Sequence, residues 1–199
     1  MSSAPDRELD KLLVKIRECR ECAPILSHAP RPIIQASISA RVCIVGQAPG
    51  TRVQASGIPF NDASGDRLRV WMGVDREVFY NEKKVAIVPM GFCFPGLDAK
   101  GSDLPPRPEC APLWREKVFA HLPKLELVLL AGQYAQRWHL EKRRKENLTG
   151  TVRAWREYLP QMLPLPHPSW RNTGWLKKHP WFEEELLPEL RKRIESLTR

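Results

Sequence analysis

Short runs of mostly apolar residues recur along the chain and predict the strands of a buried sheet. The first run, Val42-Cys43-Ile44-Val45, is apolar at every position instead of alternating with polar residues. That pattern is typical of a strand in a parallel sheet whose two faces are both covered. Similar runs predict strands at residues 83–90, 125–130 and 162–165.

Segments with helical spacing separate these runs. Within residues 7–22, leucines and an isoleucine recur three or four positions apart, which predicts an amphipathic first helix that ends at Cys22. Further helices are predicted at residues 66–73, 112–121, 132–139, 153–158 and 181–197, whereas residues 98–108 are rich in Gly and Pro and are predicted to be irregular. The alternation predicts a three-layer α/β/α sandwich with a central, mainly parallel four-stranded sheet. No linker is long enough to divide the chain, so we predict one domain over residues 1–199.

Two turns follow the first predicted strand. Gly46-Gln47-Ala48-Pro49-Gly50 ends the strand with a tight turn whose backbone N–H groups can face a ligand, and Gly57-Ile58-Pro59-Phe60 places an aromatic ring on a loop. Residues 61–66 are typical of the capped start of a helix. Ligands of open α/β sheets bind beyond the carboxyl ends of the strands, so this stretch is a candidate active site. A strand, a glycine turn and a helix also occur in many unrelated α/β proteins, and the turn matches neither a Walker loop nor a dinucleotide fingerprint.

The composition indicates an anionic partner. The 199 residues include 32 Lys and Arg against 23 Asp and Glu, a net charge of +9, and nucleic acid is the first candidate for a basic protein of this size. No segment approaches the roughly 20 apolar residues that span a bilayer. The first residues are charged and lack an apolar signal core, so we expect a cytoplasmic protein.

The five cysteines lie at positions 19, 22, 43, 93 and 110, and an odd number in a cytosolic chain argues against a disulfide framework. Cys43 lies within the first predicted strand and is most simply a core residue. The other four could hold zinc or an iron–sulfur cluster, since the first two form a Cys-x-x-Cys pair. The spacing fits equally well a helical pair together with two unrelated core cysteines.

A third motif, His167-Pro168-Ser169, follows the fourth predicted strand. The order, separation and placement of the three motifs at strand ends resemble those of the uracil-DNA glycosylase superfamily over nearly the whole chain. The resemblance implies an α/β/α fold and a DNA glycosylase that flips a base out of DNA and removes it by hydrolysis.

Two branches of that family are echoed. The order of Cys19, Cys22, Cys93 and Cys110 resembles the iron–sulfur branch, which implies that these four residues bind a [4Fe–4S] cluster, with zinc as the alternative at the same cysteines. The His-Pro-Ser-x-Arg-Asn sequence that begins at His167 resembles the single-strand-selective monofunctional branch.

The chain departs from the family pattern where water and the base are handled. The iron–sulfur branch usually has Glu at the position of Gln47, another branch has a catalytic Asp at the position of Ala48, and Pro89 stands where many members have an Asn that recognises uracil. The nearest acid to the first motif is Asp62. It is a candidate to position water, although a helix N-cap is an equally good explanation for it.

The resemblance implies roles for the remaining residues. Phe60 would stack on the base, unless it is an ordinary core ring. Gly46, Gln47, Ala48 and Asn61 would also bind the base, with backbone N–H groups around Gln47 and Ala48 donating to a base carbonyl. His167, with Gln47 and Asp62 as the other catalytic candidates, would donate to the base oxygen where charge accumulates, although a histidine before proline is more often structural.

The Ser169, Trp170 and Arg171 loop would contact DNA, with Trp170 as a wedge and Arg171 on phosphate. We therefore predict a monomeric DNA glycosylase that removes uracil or a related deaminated or damaged base. The alternatives are a DNA-binding member of the same fold without this activity and an α/β enzyme of free nucleosides or nucleotides.

Overall fold

The sheet has the predicted architecture. A computed structural model describes residues 4–199, and in that range four strands form one sheet in the order β2-β1-β3-β4 with every neighbouring pair parallel. The strands are β1 Val42–Val45, β2 Val85–Ile87, β3 Leu127–Ala131 and β4 Met162–Leu165. After β1 the chain moves to one edge, and after β2 it returns past β1 to the other. This reversal leaves a crevice beyond the carboxyl ends of β1 and β3, where α/β proteins bind ligands.

Two apolar cores cover the two faces of the sheet, because successive side chains of a strand point to opposite sides. Cys43 and Val45 pack into one core, and Val42 and Ile44 pack into the other. All four side chains of β1 are fully buried, which confirms the assignment of Cys43 to the core. Helices lie against both cores, so the three-layer prediction is confirmed.

The helices carry the following bounds: α1 Ala4–Arg17, α2 Thr51–Ser56, α3 Ala63–Met72, α4 Arg76–Tyr80, α5 Cys110–Ala120, α6 Gln133–Leu140, α7 Leu148–Arg153, α8 Thr173–Lys178 and α9 Leu187–Thr198. Helices α1, α5 and α6 supply buried residues to the face that contains Cys43, and α3, α4 and α9 supply them to the other. Within residues 4–199, no helix has both the length and the apolarity to cross a membrane.

The prediction that the first helix reaches Cys22 is wrong. Helix α1 ends at Arg17, and Cys19 and Cys22 lie in the turns that follow. The apolar stripe of α1 stops at Ile16, and a helix without a face to bury gains little from continuing.

Two other boundaries also differ from the prediction. The segment predicted as a helix over residues 153–158 contains only the last residue of α7, followed by a 3₁₀ turn at Trp155–Tyr158. Before α9, the last predicted helix contains a π-helical turn at Phe182–Leu186, and Pro188 lies in the first turn of α9. Proline has no N–H to donate, so it fits the first turn of a helix and interrupts one that would run through it.

Candidate active site and a cysteine cavity

A pocket of about 750 Å³ opens at the carboxyl ends of the strands, within the range of about 300–1,000 Å³ typical of ligand sites. Loops that follow all four strands contribute to it, as the crevice in the sheet order requires. The sequence-predicted residues that line the pocket are Gly46, Gln47, Ala48, Phe60, Asp62, His167, Ser169, Trp170 and Arg171. Pro89, which departs from the family pattern, also lines it.

The turn after β1 leaves no room for a side chain at its first glycine. A Cβ at Gly46 would lie 2.9 Å from Cζ of Phe60, so the aromatic ring packs directly on the backbone of the turn. The Gln47 side chain carries no charge, and its amide Nε2 donates to the Leu104 carbonyl at 3.4 Å.

Three neighbours hold Phe60 in an unusual backbone conformation, with a φ of 53°. Tyr80 Oη donates to the Phe60 carbonyl at 3.2 Å, and the Phe79 ring packs edge-on at 6.2 Å between centroids. A Cβ at Gly65 would come within 1.7 Å of the same carbonyl, so only glycine fits there. Non-glycine residues with positive φ are uncommon, and they persist where the surroundings determine them and often at functional sites.

Asn61, predicted to bind the base, is not brought to the pocket. Its side-chain oxygen accepts from the Arg76 guanidinium at 3.3 Å, and the residue is not among those that line the cavity. The bond to Arg76 therefore holds the Asn61 side chain away from the pocket.

Asp62 caps a helix and also faces the pocket. Its Oδ1 accepts from the Gly65 N–H at 2.9 Å, so it is the N-cap of α3. The same residue lines the pocket and lies close enough to His167 for its charge to raise the pKa of that imidazole.

His167 is arranged as a neutral hydrogen-bond donor. Burial lowers its pKa below the ordinary 6.5, against the smaller opposing effect of Asp62, so the ring is neutral at pH 7. Its Nδ1 lies 3.3 Å from the Ser169 N–H and accepts from it, which leaves the proton on Nε2. Asn172 Nδ2 donates to the His167 carbonyl at 2.6 Å and fixes the loop.

The loop after His167 is anchored from below and exposed at its tip. The Arg67 guanidinium donates to the Ser169 carbonyl at 2.8 Å and to Thr173 Oγ1 at 3.1 Å. Trp170 remains 72% exposed, an unusual position for so large an apolar ring. Arg171 donates to Ser102 Oγ at 2.9 Å and thus holds a segment that the sequence had marked only as irregular.

That segment brings a residue that sequence reasoning missed. Asp103 lines the pocket, and one of its carboxylate oxygens lies 3.5 Å from where a Cβ of Gly50 would stand. Asp103 belongs to no periodic pattern or motif, and its place depends on the folding of a Gly- and Pro-rich loop. No signal in the sequence points to it.

The four cysteines outside β1 line a second cavity, and two of them belong to the segment that directly follows α1. Cys19, Cys22, Cys93 and Cys110 all contribute to its wall. The structure therefore brings together the four residues that the family resemblance groups. Burial raises the pKa of Cys93 to about 11 and that of Cys110 to about 12, so a bound metal group would have to displace their protons.

Cysteine thiolates are the ligands that both zinc and iron–sulfur clusters take. Among residues 4–199, no three His, Cys, Asp or Glu side chains are close enough together to hold one metal ion. The main-chain N–H of Arg31 bonds to Cys93 and that of Phe92 to Cys110 Sγ, and such bonds to sulfur are among the features that tune these clusters.

Three consecutive residues connect the two cavities. The amides of residues 90 and 91 donate to the carbonyls of Gly46 and Gln47 at 3.0 and 2.9 Å, and the next amide, that of Phe92, donates to Cys110 Sγ at 3.3 Å. The segment after β2 is therefore shared by the glycine turn and the cysteines.

A family-level comparison agrees with this arrangement. The family model described as "Uracil DNA glycosylase superfamily" matches residues 34–191, well over half of the chain. The match includes the three pocket motifs together with Cys93 and Cys110, and it begins after Cys19 and Cys22.

Proposed function

The chain belongs to the uracil-DNA glycosylase superfamily, and from that premise we propose that it is a monofunctional DNA glycosylase that removes uracil or a related deaminated base from DNA. The observation that carries the proposal is the convergence of the three motifs on one pocket, with a neutral His167 among them. The partner is DNA, in line with the net charge of +9.

Substrate binding requires the target base to leave the stack, which costs a few kcal/mol. In our proposal Phe60 offsets part of that cost, since stacking a base on an aromatic ring is worth about 1–3 kcal/mol. The contacts of Tyr80, Gly65 and Phe79 hold the ring in place before the base arrives. Backbone N–H groups of the turn at Gln47 and Ala48 would then face the base edge.

In the chemical step, the N-glycosidic bond breaks and its electron pair departs with the base, which leaves positive charge on the sugar. His167 Nε2–H donates to the base oxygen where the negative charge accumulates. A preorganised donor of this kind is worth about 2.7–4 kcal/mol in the transition state. Asp62, which lines the same pocket, would stabilise the cationic sugar. A water oxygen then bonds to the sugar carbon and loses one proton.

DNA would be gripped by the loop after His167. Trp170 is exposed and able to enter the space that the flipped nucleotide vacates, as apolar wedges do. Arg171 would exchange its hydrogen bond with Ser102 for a phosphate oxygen, and Arg67 would keep the loop in position meanwhile.

We also propose that Cys19, Cys22, Cys93 and Cys110 hold a [4Fe–4S] cluster. Such a cluster would tie three distant parts of the chain together and supply a redox-active group. Anaerobically purified protein should contain about four irons per chain. Cys110→Ser should lower that content, whereas Cys43→Ser, in the sheet core, should not. Protein with zinc and no iron would overturn the cluster.

The activity is tested by single-turnover base release from oligonucleotides that contain uracil, hypoxanthine or xanthine. His167→Ala should slow release by about a hundredfold to a thousandfold, because it removes a transition-state donor. His121→Ala, on a half-buried histidine that lies outside the pocket, is the matched control and should behave as wild type. DNA binding without release of any base would favour the DNA-binding alternative, and release from free deoxyuridine alone would favour the nucleoside enzyme.

A further inference from the structure

The glycine turn after β1 contains no acid, although hydrolysis must deliver a proton from water to some acceptor. Gln47 and Ala48 are uncharged. The structure brings a carboxylate to the same turn from another part of the chain. The Asp103 oxygens lie 3.5 and 3.9 Å from the position that a Cβ of Gly50 would take.

The loop that carries Asp103 is well fixed. Asp103 pairs with Leu97 in an antiparallel bridge, and the next residue, Leu104, donates its N–H to the Gly96 carbonyl at 2.9 Å. The turn between them is closed by Asp98, whose carboxylate accepts the N–H groups of residues 100 and 102, each at 2.8 Å. The carboxylate of Asp103 is therefore held at the pocket wall by its backbone.

The two pocket acids differ in how their oxygens are used. Asp62 Oδ1 already accepts the Gly65 N–H, and a proton taken up by this carboxylate would weaken the cap of α3, because a neutral carboxyl group is the poorer acceptor. No hydrogen bond between residues of the described part of the chain occupies the Asp103 side chain, and solvent reaches it. Of the two pocket acids, Asp103 is therefore the one whose oxygens have no structural hydrogen bond to lose.

We propose that Asp103 is the general base that takes the proton from the attacking water, while Asp62 caps α3 and stabilises the cationic sugar. This inference rests on the proposed glycosylase function. In the step, the water oxygen forms a bond to the sugar carbon, the C–N bond breaks with its electrons on the base, and the water proton moves to an Asp103 oxygen.

The electrostatic surroundings favour this role. Solvent reaches Asp103, but partial burial by the pocket wall raises its pKa; Arg171 opposes the increase, and the charge of Asp62 adds to it. A carboxylate with a raised pKa is the stronger base. When Arg171 turns to a DNA phosphate, its opposing effect falls, so DNA binding would make Asp103 a still better proton acceptor.

The test compares base release by the full-length wild type, Asp103→Asn and Asp98→Asn under single-turnover conditions. Asp103→Asn should be slower by about a hundredfold to ten-thousandfold, the usual contribution of a general base, with DNA affinity nearly unchanged. Asp98→Asn removes the same charge from the same loop and keeps an oxygen for the turn, so it should release base at the wild-type rate. In the wild type and in Asp98→Asn, kcat/KM should decrease as the pH is lowered, since the base must be ionised to act. This decrease should shift or disappear only in Asp103→Asn.

Chemical rescue separates a catalytic role from a structural one. Added formate should accelerate Asp103→Ala and leave Asp98→Asn unchanged, because a small carboxylate can enter the space of the missing side chain. Wild-type rates in Asp103→Asn, or a slow Asp62→Asn beside a normal Asp103→Asn, would overturn this inference and leave the glycosylase standing. Wild-type protein that releases no base would overturn both.

Discussion

Asp62 offers a sharp separation of folding from chemistry, because one side chain both caps α3 and faces the pocket. Its Oδ1 lies 2.9 Å from the Gly65 N–H. Asp62→Ala removes the cap and the charge, whereas Asp62→Asn removes only the charge, since Asn and Asp cap helices about equally well. The pair of variants therefore assigns each consequence to one of the two functions.

The size of the stability effect follows from the cap. Replacing an Asp N-cap by Ala costs about 1 kcal/mol, which lowers Tm by about 2–4 °C in a chain of this length. Asp62→Asn should unfold close to wild type. In both variants the pKa of His167 should be lower than in the wild type, because the Asp62 charge that raises it in the wild type is lost.

Thermal unfolding and an NMR titration of the His167 ring measure the two effects. Asp75→Ala is the matched control, since Asp75 caps α4 through the Val78 N–H at 2.8 Å and does not line the pocket. It should lose stability without moving the histidine titration. An Asp62→Ala protein as stable as wild type would refute the capping argument, and an unchanged titration in Asp62→Asn would refute the electrostatic one.

Three further predictions concern single residues. Gly46→Ala would place its Cβ 2.9 Å from the Phe60 ring, and base release should fall by up to about a hundredfold if the ring moves by 1 Å. Gly174→Ala, whose new Cβ would lie in open space, should release base at the wild-type rate. Burial lowers the pKa of His139 from 6.5 to about 3, so as pH falls the unfolded state binds this proton before the folded state does. The free energy of unfolding should therefore fall below pH 6.5 by at most about 1.4 kcal/mol per pH unit. In urea unfolding, His139→Gln should show a weaker decrease of this free energy with falling pH. Arg171→Ala should reduce the slope of log Kd against log salt by about one, and an unchanged slope would mean that Arg171 does not contact phosphate.

The parts of the molecule that were predictable are those that a local pattern determines. The apolar run of β1 predicted a doubly covered strand, and the sequence around Asp62 predicted a capped helix start. Helices α2 and α4 were missed, because helices of six and five residues are too short to show a periodic apolar stripe. Asn61 was misplaced because the direction of a loop side chain depends on its partner, Arg76.

Asp103 lay furthest beyond prediction. Its position depends on the bridge to Leu97, on the turn closed by Asp98 and on the contact between Arg171 and Ser102, which joins residues 69 positions apart. Contacts of that range arise from the tertiary fold, and a single sequence carries no local trace of them.

The shared segment after β2 makes the two cavities one cooperative unit. The first two of its three successive amides donate to the glycine turn, and the third donates to a cysteine sulfur. Opening either end exposes the others, so in hydrogen–deuterium exchange the amides of residues 90–92 should lose protection together, with a single opening free energy. A substitution that shifts the glycine turn should therefore also shift the cysteine cavity, and the reverse, because a connection of three residues is too short to adjust to a displacement at one end.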